Sequence, residues 1–502
     1  MLKHACFACT CVLAVSKGSM VATHSRVVAW LAAMVTLAVT AVHGFEPPLA
    51  GGGESPLLLA TLPPAGQLAQ NMWAGTNVAS LVTPASGGKR VWLAASVVAT
   101  RGVELHAACD PSDPRQPWRM LTRIVPPVPP SLADTVHCVS LAAAPGVDHP
   151  QVMALVTSLG SRSPPVTPGH AWVYTPQDGA DPGASLPWVL RANLTVPGPN
   201  VVTPNFGFGC AVLNGTIAIG DPSHEPSGVV HMFMASDAAN FSSPWQYRQR
   251  VNSTRPAGLS NYGTLGRSVA LGLGGSVLVA GSPTDPTTGP AVGNNQWGSA
   301  YIYRWGASSR TTGLTWPPKE DGWGQVARLV PFDTASAVPD ELGTSVACVG
   351  SQVIVGAPYA GTADDGRVYV FQPTTQGDPS SSYSLVQTIA PGDNAVGAQI
   401  NFGSHVAGDS AELRGESMLA VAAGARQPAS VYVFDFVNAV ANSEYTQQWR
   451  GRRGASAVAS GARVAMSARL LVTGSLNVKV EAVPFVGSYV RCLVLRDCME
   501  PG

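Results

Sequence analysis

Residues able to do chemistry are sparse in this chain. No G-x-S-x-G, H-E-x-x-H, P-loop or paired C-x-x-C motif occurs, so the common hydrolase, zinc and nucleotide signatures are missing. His137 and His231 fall inside apolar strand patterns and read as core or edge residues. The turn "ADDG" holds Asp364 and Asp365. It would make an anion or metal lip, or more simply a hairpin turn, since Asp-Gly tolerates positive φ. Residues 284–297, "TDPTTGPAVGNNQW", are longer than a hairpin needs and end on Asn294, Asn295 and Trp297. Long loops on a rigid scaffold often bind, and an aromatic beside amides suits protein or glycan contact. The rival reading is a solvated insertion with Trp297 packed on the scaffold. The expectation is therefore no catalytic residue, no metal ligand, and contact candidates Asn294, Asn295, Trp297, Asp364 and Asp365.

The N-terminus reads as a targeting signal. Arg26 precedes the apolar run Val27–Val42, and Val42-His43-Gly44 offers a cleavage site, the pattern of a secretory signal peptide. The run is short for a spanning helix, which needs about 20 residues. An uncleaved anchor is the alternative, and Met20 is an alternative start. Either reading places the rest of the chain outside the cytosol, and no later run is long enough to span a membrane. Four sequons, Asn193, Asn214, Asn240 and Asn252, fit a secreted glycoprotein. Cys109, Cys138, Cys210, Cys348, Cys492 and Cys498 follow the signal, and spacing alone does not choose among 15 pairings. Cys492 and Cys498 would close a local loop. Cys138, Cys210 and Cys348 sit in strand patterns, where buried free thiols are as natural a reading as pairs.

Composition sets the kind of scaffold. The 53 glycines and 42 prolines, with only 12% charged residues, point to many short strands and turns rather than helices. The hydrophobic share of 45% argues against disorder. Basic and acidic residues balance at 30 each without a basic stripe, so nucleic acid is not an expected partner.

A repeat organises these strands. "GTSVACVGSQVIVG" places Gly343 and Gly356 thirteen residues apart; Gly207 and Gly220, and Gly461 and Gly474, are spaced identically. Looser copies set anchors at 75, 135, 207, 266, 343, 403 and 461, with Thr135 in place of glycine. Each copy has an A strand of G-x-x-V-A type and an apolar B strand ending in glycine. A C strand such as "GRVYVFQ" follows, and a D strand such as "YSLVQTI" precedes the next anchor. Small A-strand residues suit a crowded axis. B strands, apolar at successive positions, suit burial on both faces. D strands alternate, as an outer strand half in water should. Closing the sheets in a ring protects their edges. "LLLATL" (57–62) is a D strand without its own A, B or C, so it would complete the last sheet beside A and B at 461–474 and a candidate C at 477–485.

"FGxSVA…VVGAP…GxVYVF" is the pattern of FG-GAP repeats, and "LGTSVACVGSQVIVGAP…GRVYVF" and "FGFGCAVLNGTIAIGDP" match it. The chain thus resembles the N-terminal propeller of integrin α-subunits over about residues 57–485. The resemblance implies an all-β fold: a seven-bladed β-propeller of four-stranded antiparallel blades, following an N-terminal signal helix. The implied organisation is a signal peptide at 1–44, a linker at 45–56, a propeller at 57–486 latched by strand 57–62, and a tail at 487–502. Many members carry an Asp-x-Asp-x-Asp-Gly calcium loop in the A–B hairpin. Calcium needs about 6–8 oxygen ligands, whereas the hairpins here read "CVGSQ", "VLNGT" and "MSARL". In the sixth copy Asp409, Glu412 and Glu416 have the wrong spacing. No cofactor is expected, calcium included. The resemblance puts a binding face at 221–227, 284–297, 358–365, 197–205 and 331–341.

The expected function is a secreted or surface-tethered, non-catalytic binding module that recognises an extracellular protein or glycan, as in adhesion. One alternative is a propeller hydrolase or lyase with an axial pocket, which would need ionisable groups converging on the A strands. The other is a purely structural extracellular scaffold.

Overall fold

Short apolar runs punctuated by glycine leave the backbone one economical way to pair its polar groups, as strands in narrow antiparallel sheets. The computed structural model describes residues 57–62, 74–85, 88–97, 102–108, 119–127, 136–144, 151–160, 166–177, 187–198, 203–224, 226–254, 263–286, 297–306, 322–330, 340–361, 365–375, 381–391, 400–411, 416–423, 430–438, 443–452, 462–467, 470–475 and 490–494. The signal segment 1–44 and the linker 45–56 lie outside them. Among the described residues no helix is long and apolar enough to cross a membrane.

Strand β1 (Leu57–Leu62) is followed by six blades, each made of four consecutive antiparallel strands. The first blade holds β2 (Ala74–Ala85), β3 (Gly88–Val97), β4 (Gly102–Ala108) and β5 (Arg119–Ile124). The second holds β6 (Val136–Ala143), β7 (Val152–Ser158), β8 (His170–Pro176) and β9 (Trp188–Leu194). The third holds β10 (Cys210–Leu213), β11 (Thr216–Asp221), β12 (Val229–Ala235) and β13 (Trp245–Val251). The fourth holds β14 (Ser268–Gly272), β15 (Val277–Ser282), β16 (Ser299–Trp305) and β17 (Trp323–Leu329). The fifth holds β18 (Ser345–Val349), β19 (Gln352–Ala357), β20 (Arg367–Pro373) and β21 (Tyr383–Ile389). The sixth holds β22 (Phe402–Ala411), β23 (Glu416–Ala423), β24 (Ser430–Asn438) and β25 (Ser443–Arg452).

A further four-stranded sheet joins the chain ends. β26 (Ala462–Ser467) and β27 (Leu470–Ser475) are followed by β28 (Val490–Val494), and β1 completes the sheet on its outer edge. This corrects the boundary read from sequence. The third strand is "VRCLV", inside the supposed tail 487–502, while 477–485 lies outside the described residues. The short alternating "VRCLV" gave a weaker strand signal than "NVKVEAVPF", yet it is the segment that registers with both β27 and β1. The sheet carries Cys492 on β28; its side chain, and Cys498, lie outside the described residues.

The inner strands follow one another around a closed cycle: β2, β6, β10, β14, β18, β22, β26 and back to β2. At the closure the backbone amide of Val82 on β2 donates to Ser467 Oγ on β26 (3.1 Å). The second strands β7 (VMALVTS), β11 (TIAIGD), β15 (VLVAGS) and β19 (QVIVGA) are buried along their whole length. Each side chain such as Ile217 or Ile219 contributes about 2 kcal/mol by leaving water. The outer strands β13 and β21 alternate buried-side and solvent-side residues along their length. The core lies between neighbouring sheets: Phe206, Ile217 and Phe233 of the third blade pack with Leu155 and Val173 of the second.

The glycine anchors lock one blade onto the next. Gly266, at φ +90°, donates its N–H to Gly281 O within its own blade (3.0 Å). Its carbonyl meanwhile fits over Gly220 of the preceding blade, where a Cβ would lie 1.9 Å from the oxygen. Gly343 covers Gly281 and Gly403 covers Gly356 in the same way. Ser268 Oγ and Ser345 Oγ donate to the anchor carbonyls of Gly343 and Gly403, both at 2.8 Å.

A disulfide joins Cys138 on β6 to Cys210 on β10, with Cα atoms 5.9 Å apart. The free-thiol reading of these two cysteines is thereby overturned. Each looked like an apolar strand residue alone, but adjacent inner strands converge and bring the two within bonding distance. Cys348 on β18 is the free cysteine among the described residues, and burial pushes its thiol up to about 12.

Candidate functional site at the propeller axis

Of the contact candidates read from the loops, Trp297 and Asp365 lie among the described residues. Trp297 is buried at 7% exposure and so is not offered to a ligand. Its carbonyl accepts from Leu342 N (3.0 Å), which pins the end of this loop against the following blade. Asp365 is buried at 8% exposure and its carbonyl accepts from Phe402 N (3.0 Å), so it serves the junction between blades. Both residues precede a C-strand glycine, Gly298 or Gly366, that bridges the next anchor segment, and this draws them inward. Asn294, Asn295 and Asp364 lie outside the described residues. Of the sequons, Asn193, Asn240 and Asn252 are exposed, whereas Asn214 is half-buried at φ +45° in the β10–β11 turn.

The inner strands instead bring ionisable groups together. The position two residues after an anchor lies on or beside the inner strand of its blade. Serine occupies it twice, as Ser268 and Ser345, each fastening the neighbouring anchor. The same position holds His137, His405 and Arg463 in three other copies. Arg267, directly after anchor Gly266, joins them. Its guanidinium lies 4.4 Å from the centre of the Phe208 ring, and the His137 ring lies 4.3 Å from the same centre. A cation over an aromatic face is a favourable, partly desolvated arrangement. On the facing strand, Val464 N donates to His405 Nδ1 (3.4 Å), which leaves the proton of a neutral ring on Nε2.

The electrostatics of the group are coupled. Burial, then Arg463 and Arg267, lowers His137 to about 4. Burial and Arg463 lower His405 to about 3. Both imidazoles are therefore neutral at pH 7. Burial and Arg267 lower the basicity of Arg463. Burial lowers that of Arg267 as well, against the attraction of Glu341. Burial raises Glu341, against Arg267 and a hydrogen bond with Thr344. Arg267 is exposed and Arg463, His137 and His405 are only half-buried, yet each is enclosed enough to lose hydration. The four side chains and Glu341 thus form one partly enclosed, electrostatically coupled cluster on the inner strands. Two guanidiniums against one carboxylate suit an anion: a carboxylate, sulfate or phosphate group.

These residues were missed because no local motif marks them. The signal lies in the repeat register: the position that holds serine in two copies holds histidine or arginine in three others.

A second cluster lies in the third blade. Asp221 ends β11, His224 follows in the β11–β12 loop, and His231 is central in β12. One donor atom from each lies within 4.8 Å of the others. His224 Nδ1 is 3.5 Å from Asp221 Oδ2, and its Nε2 is 3.1 Å from Arg250 Nη1. His231 Nδ1 is 3.4 Å from the Tyr247 hydroxyl. Burial, then His224 and Arg250, lowers His231 to about 3.

Comparison with known proteins agrees on the repeat. The FG-GAP repeat family matches residues 323–371, which run from β17 of one blade through β20 of the next. No curated protein matches the sequence significantly. Among solved structures, an α-L-arabinofuranosidase from Fusarium graminearum aligns at 10% identity, over 89% of this chain and 99% of its own, with TM-score 0.41. Polycomb repressive complex 2 of Chaetomium thermophilum aligns at 11% identity, over 76% and 71%, with TM-score 0.45. A lectin of Aleuria aurantia, in complex with α-methyl-L-fucoside, aligns at 11% identity, over 74% and 94%, with TM-score 0.37.

Proposed function

The chain carries an FG-GAP repeat on a β-propeller of four-stranded antiparallel blades, and from that premise we propose a secreted or surface-tethered, non-catalytic binding module for an anionic extracellular ligand. We read the composite sheet of β26, β27, β28 and β1 as the seventh blade, which latches the ring, and the basic cluster as lining the central bore of that ring. The ligand class is an acidic or sulfated glycan, or an acidic protein segment. One observation carries this reading. Arg267 and Arg463 stand among the inner strands beside neutral histidines, with Glu341 as the acid coupled to them. A cation with reduced hydration gains more from an anionic partner than one in bulk water.

The test is binding of the purified glycoprotein to an array of sulfated, sialylated and neutral glycans and acidic peptides. Preference for anionic members, lost on Arg267→Ala, supports the reading. Equal binding of neutral members, or no effect of the substitution, sinks it.

A catalytic reading has one observation in its favour: His137, His405 and Glu341 are ionisable groups coupled to the same two arginines. Neutral imidazole is a competent base, and an acid with a raised pKa is a competent proton donor. The same array separates the two readings, because a binding module returns its bound ligand unaltered in mass.

A further inference from the structure

The third and fourth blades use the same positions for different chemistry. In the fourth blade, Tyr301 on β16 donates to Asp285 Oδ2 (2.5 Å), and Arg328 on β17 donates to the same oxygen (3.1 Å). Tyr301 pairs with Arg328 in register. Counting from the penultimate residue of each second strand, Gly281 and Gly220, Asp285 corresponds to His224 and Ser282 to Asp221. Counting from the C-strand glycines, Gly298 and Gly228, Tyr301 corresponds to His231, which pairs in register with Arg250. The closed tyrosine–aspartate–arginine contact of one blade is thus replaced in its neighbour by two histidines and an added carboxylate.

The replacement leaves buried polar atoms without partners. Asp221 is 1% exposed and His231 is fully buried. Neither carboxylate oxygen of Asp221, nor His231 Nε2, has a hydrogen-bond partner among the described residues. Buried groups of this kind ordinarily find a partner or an ion. With Tyr247 beside its Nδ1, His231 can carry its proton there and keep the Nε2 lone pair free. That is the outer-shell arrangement which orients a metal-bound imidazole.

We propose that Asp221, His224 and His231 bind a divalent transition-metal ion of the zinc class. Two imidazoles and a carboxylate are borderline donors that suit zinc better than calcium. Donors on a tetrahedral ion sit about 3.4 Å apart, given bonds of about 2.1 Å, and His224 Nδ1 and Asp221 Oδ2 already stand 3.5 Å apart. Three protein ligands leave one position open, and His224, the partly exposed member, gives access from solvent. Arg250 opposes the metal. It donates to His224 Nε2, which holds the ring proton on Nδ1, and metal binding at Nδ1 requires this exposed guanidinium to move aside. The inference is independent of the anion-binding bore.

The test uses the full chain stripped with a chelator and titrated with Zn²⁺ or Co²⁺ alone, read by calorimetry, bound-metal analysis and the Co²⁺ absorption spectrum. About one equivalent of metal is expected. The double substitution His231→Tyr with His224→Asp rebuilds the contact found in the fourth blade, so it is expected to preserve the melting temperature and weaken metal binding at least tenfold. Arg250→Ala, on the exposed outer strand, is expected to tighten binding several-fold. Absence of stoichiometric binding by the wild-type chain overturns the proposal. So does binding unchanged by the double substitution. If that variant does not fold, an unchanged or lower affinity in Arg250→Ala overturns it instead.

Discussion

Gly220 lies beneath the carbonyl oxygen of Gly266, so close that a Cβ on Gly220 would stand 1.9 Å from it. The obstacle is backbone, and it belongs to an anchor already held at φ +90° by its bond to Gly281. Neither partner has room to withdraw. Gly220→Ala is expected to cost about 3 kcal/mol or more, the range of overpacked core sites. Urea unfolding measures it. A loss below about 1 kcal/mol would show that the blades are not locked through these glycines.

This contact also explains why so much of the fold was legible in the sequence. The anchors and B-strand glycines recur because each pair must admit a neighbouring backbone, and a steric demand of that kind leaves a periodic mark. The buried B strands and alternating D strands were readable for the same reason: burial on two faces or one dictates residue type position by position. Third-strand placement in the composite sheet was not readable, because "NVKVEAVPF" and "VRCLV" both satisfy strand patterning and only pairing with β1 and β27 separates them. The site was less legible still. Trp297 looked like a loop aromatic until the adjoining Gly298 drew it inward. His137 read as a core or edge residue, and no local motif singled out His405 or Arg463; only the meeting of inner strands from separate copies couples the three.

The Cys138–Cys210 disulfide ties the inner strands of two successive blades, its ends 72 positions apart in sequence. Constraining so long a segment in the unfolded chain stabilises the fold by about 4 kcal/mol. Paired Cys138→Ser and Cys210→Ser substitution is expected to lower stability by about 2–5 kcal/mol, read as a shift in the urea midpoint. An unchanged midpoint would mean the blades are fastened sufficiently by packing alone.

Acid should loosen the propeller before its ordinary carboxylates protonate. His137, His231 and His405 are held near 4, 3 and 3, below the ordinary histidine value of 6.5. Between those limits the unfolded chain binds more protons than the folded one, so stability rises with pH. Their contribution is complete above about pH 6.5 and declines progressively as pH falls toward 4 and 3. Glu341, with its raised value, acts in the opposite sense: the folded state holds its proton more tightly, so its effect favours the fold as pH falls toward 4.5. The melting temperature is expected to drop between pH 7 and pH 4.5. His405→Ser, which installs the residue found at the matching positions 268 and 345, should flatten that slope. An equal slope in this variant would rule His405 out as a contributor.

Arg463 gives the most direct reading of the bore. Serine at the equivalent positions of β14 and β18 supports the fold, so Arg463→Ser removes a charge while keeping a side chain that the architecture accepts. A charge-assisted hydrogen bond to an anion is worth about 1.5–3 kcal/mol, so affinity for a sulfated or carboxylated ligand is expected to fall about tenfold or more. The wild-type affinity should also weaken as salt rises from low to physiological strength, because Arg267 is exposed and Arg463 only half-buried, so mobile ions screen them. Loss of the Arg463 charge should make that dependence shallower. Calorimetric titrations at two ionic strengths, for both proteins, check the pair of expectations together. A tenfold loss with an unchanged salt dependence would mean that Arg463 shapes the bore rather than meeting the anion, and binding indifferent to both would place the ligand on another surface.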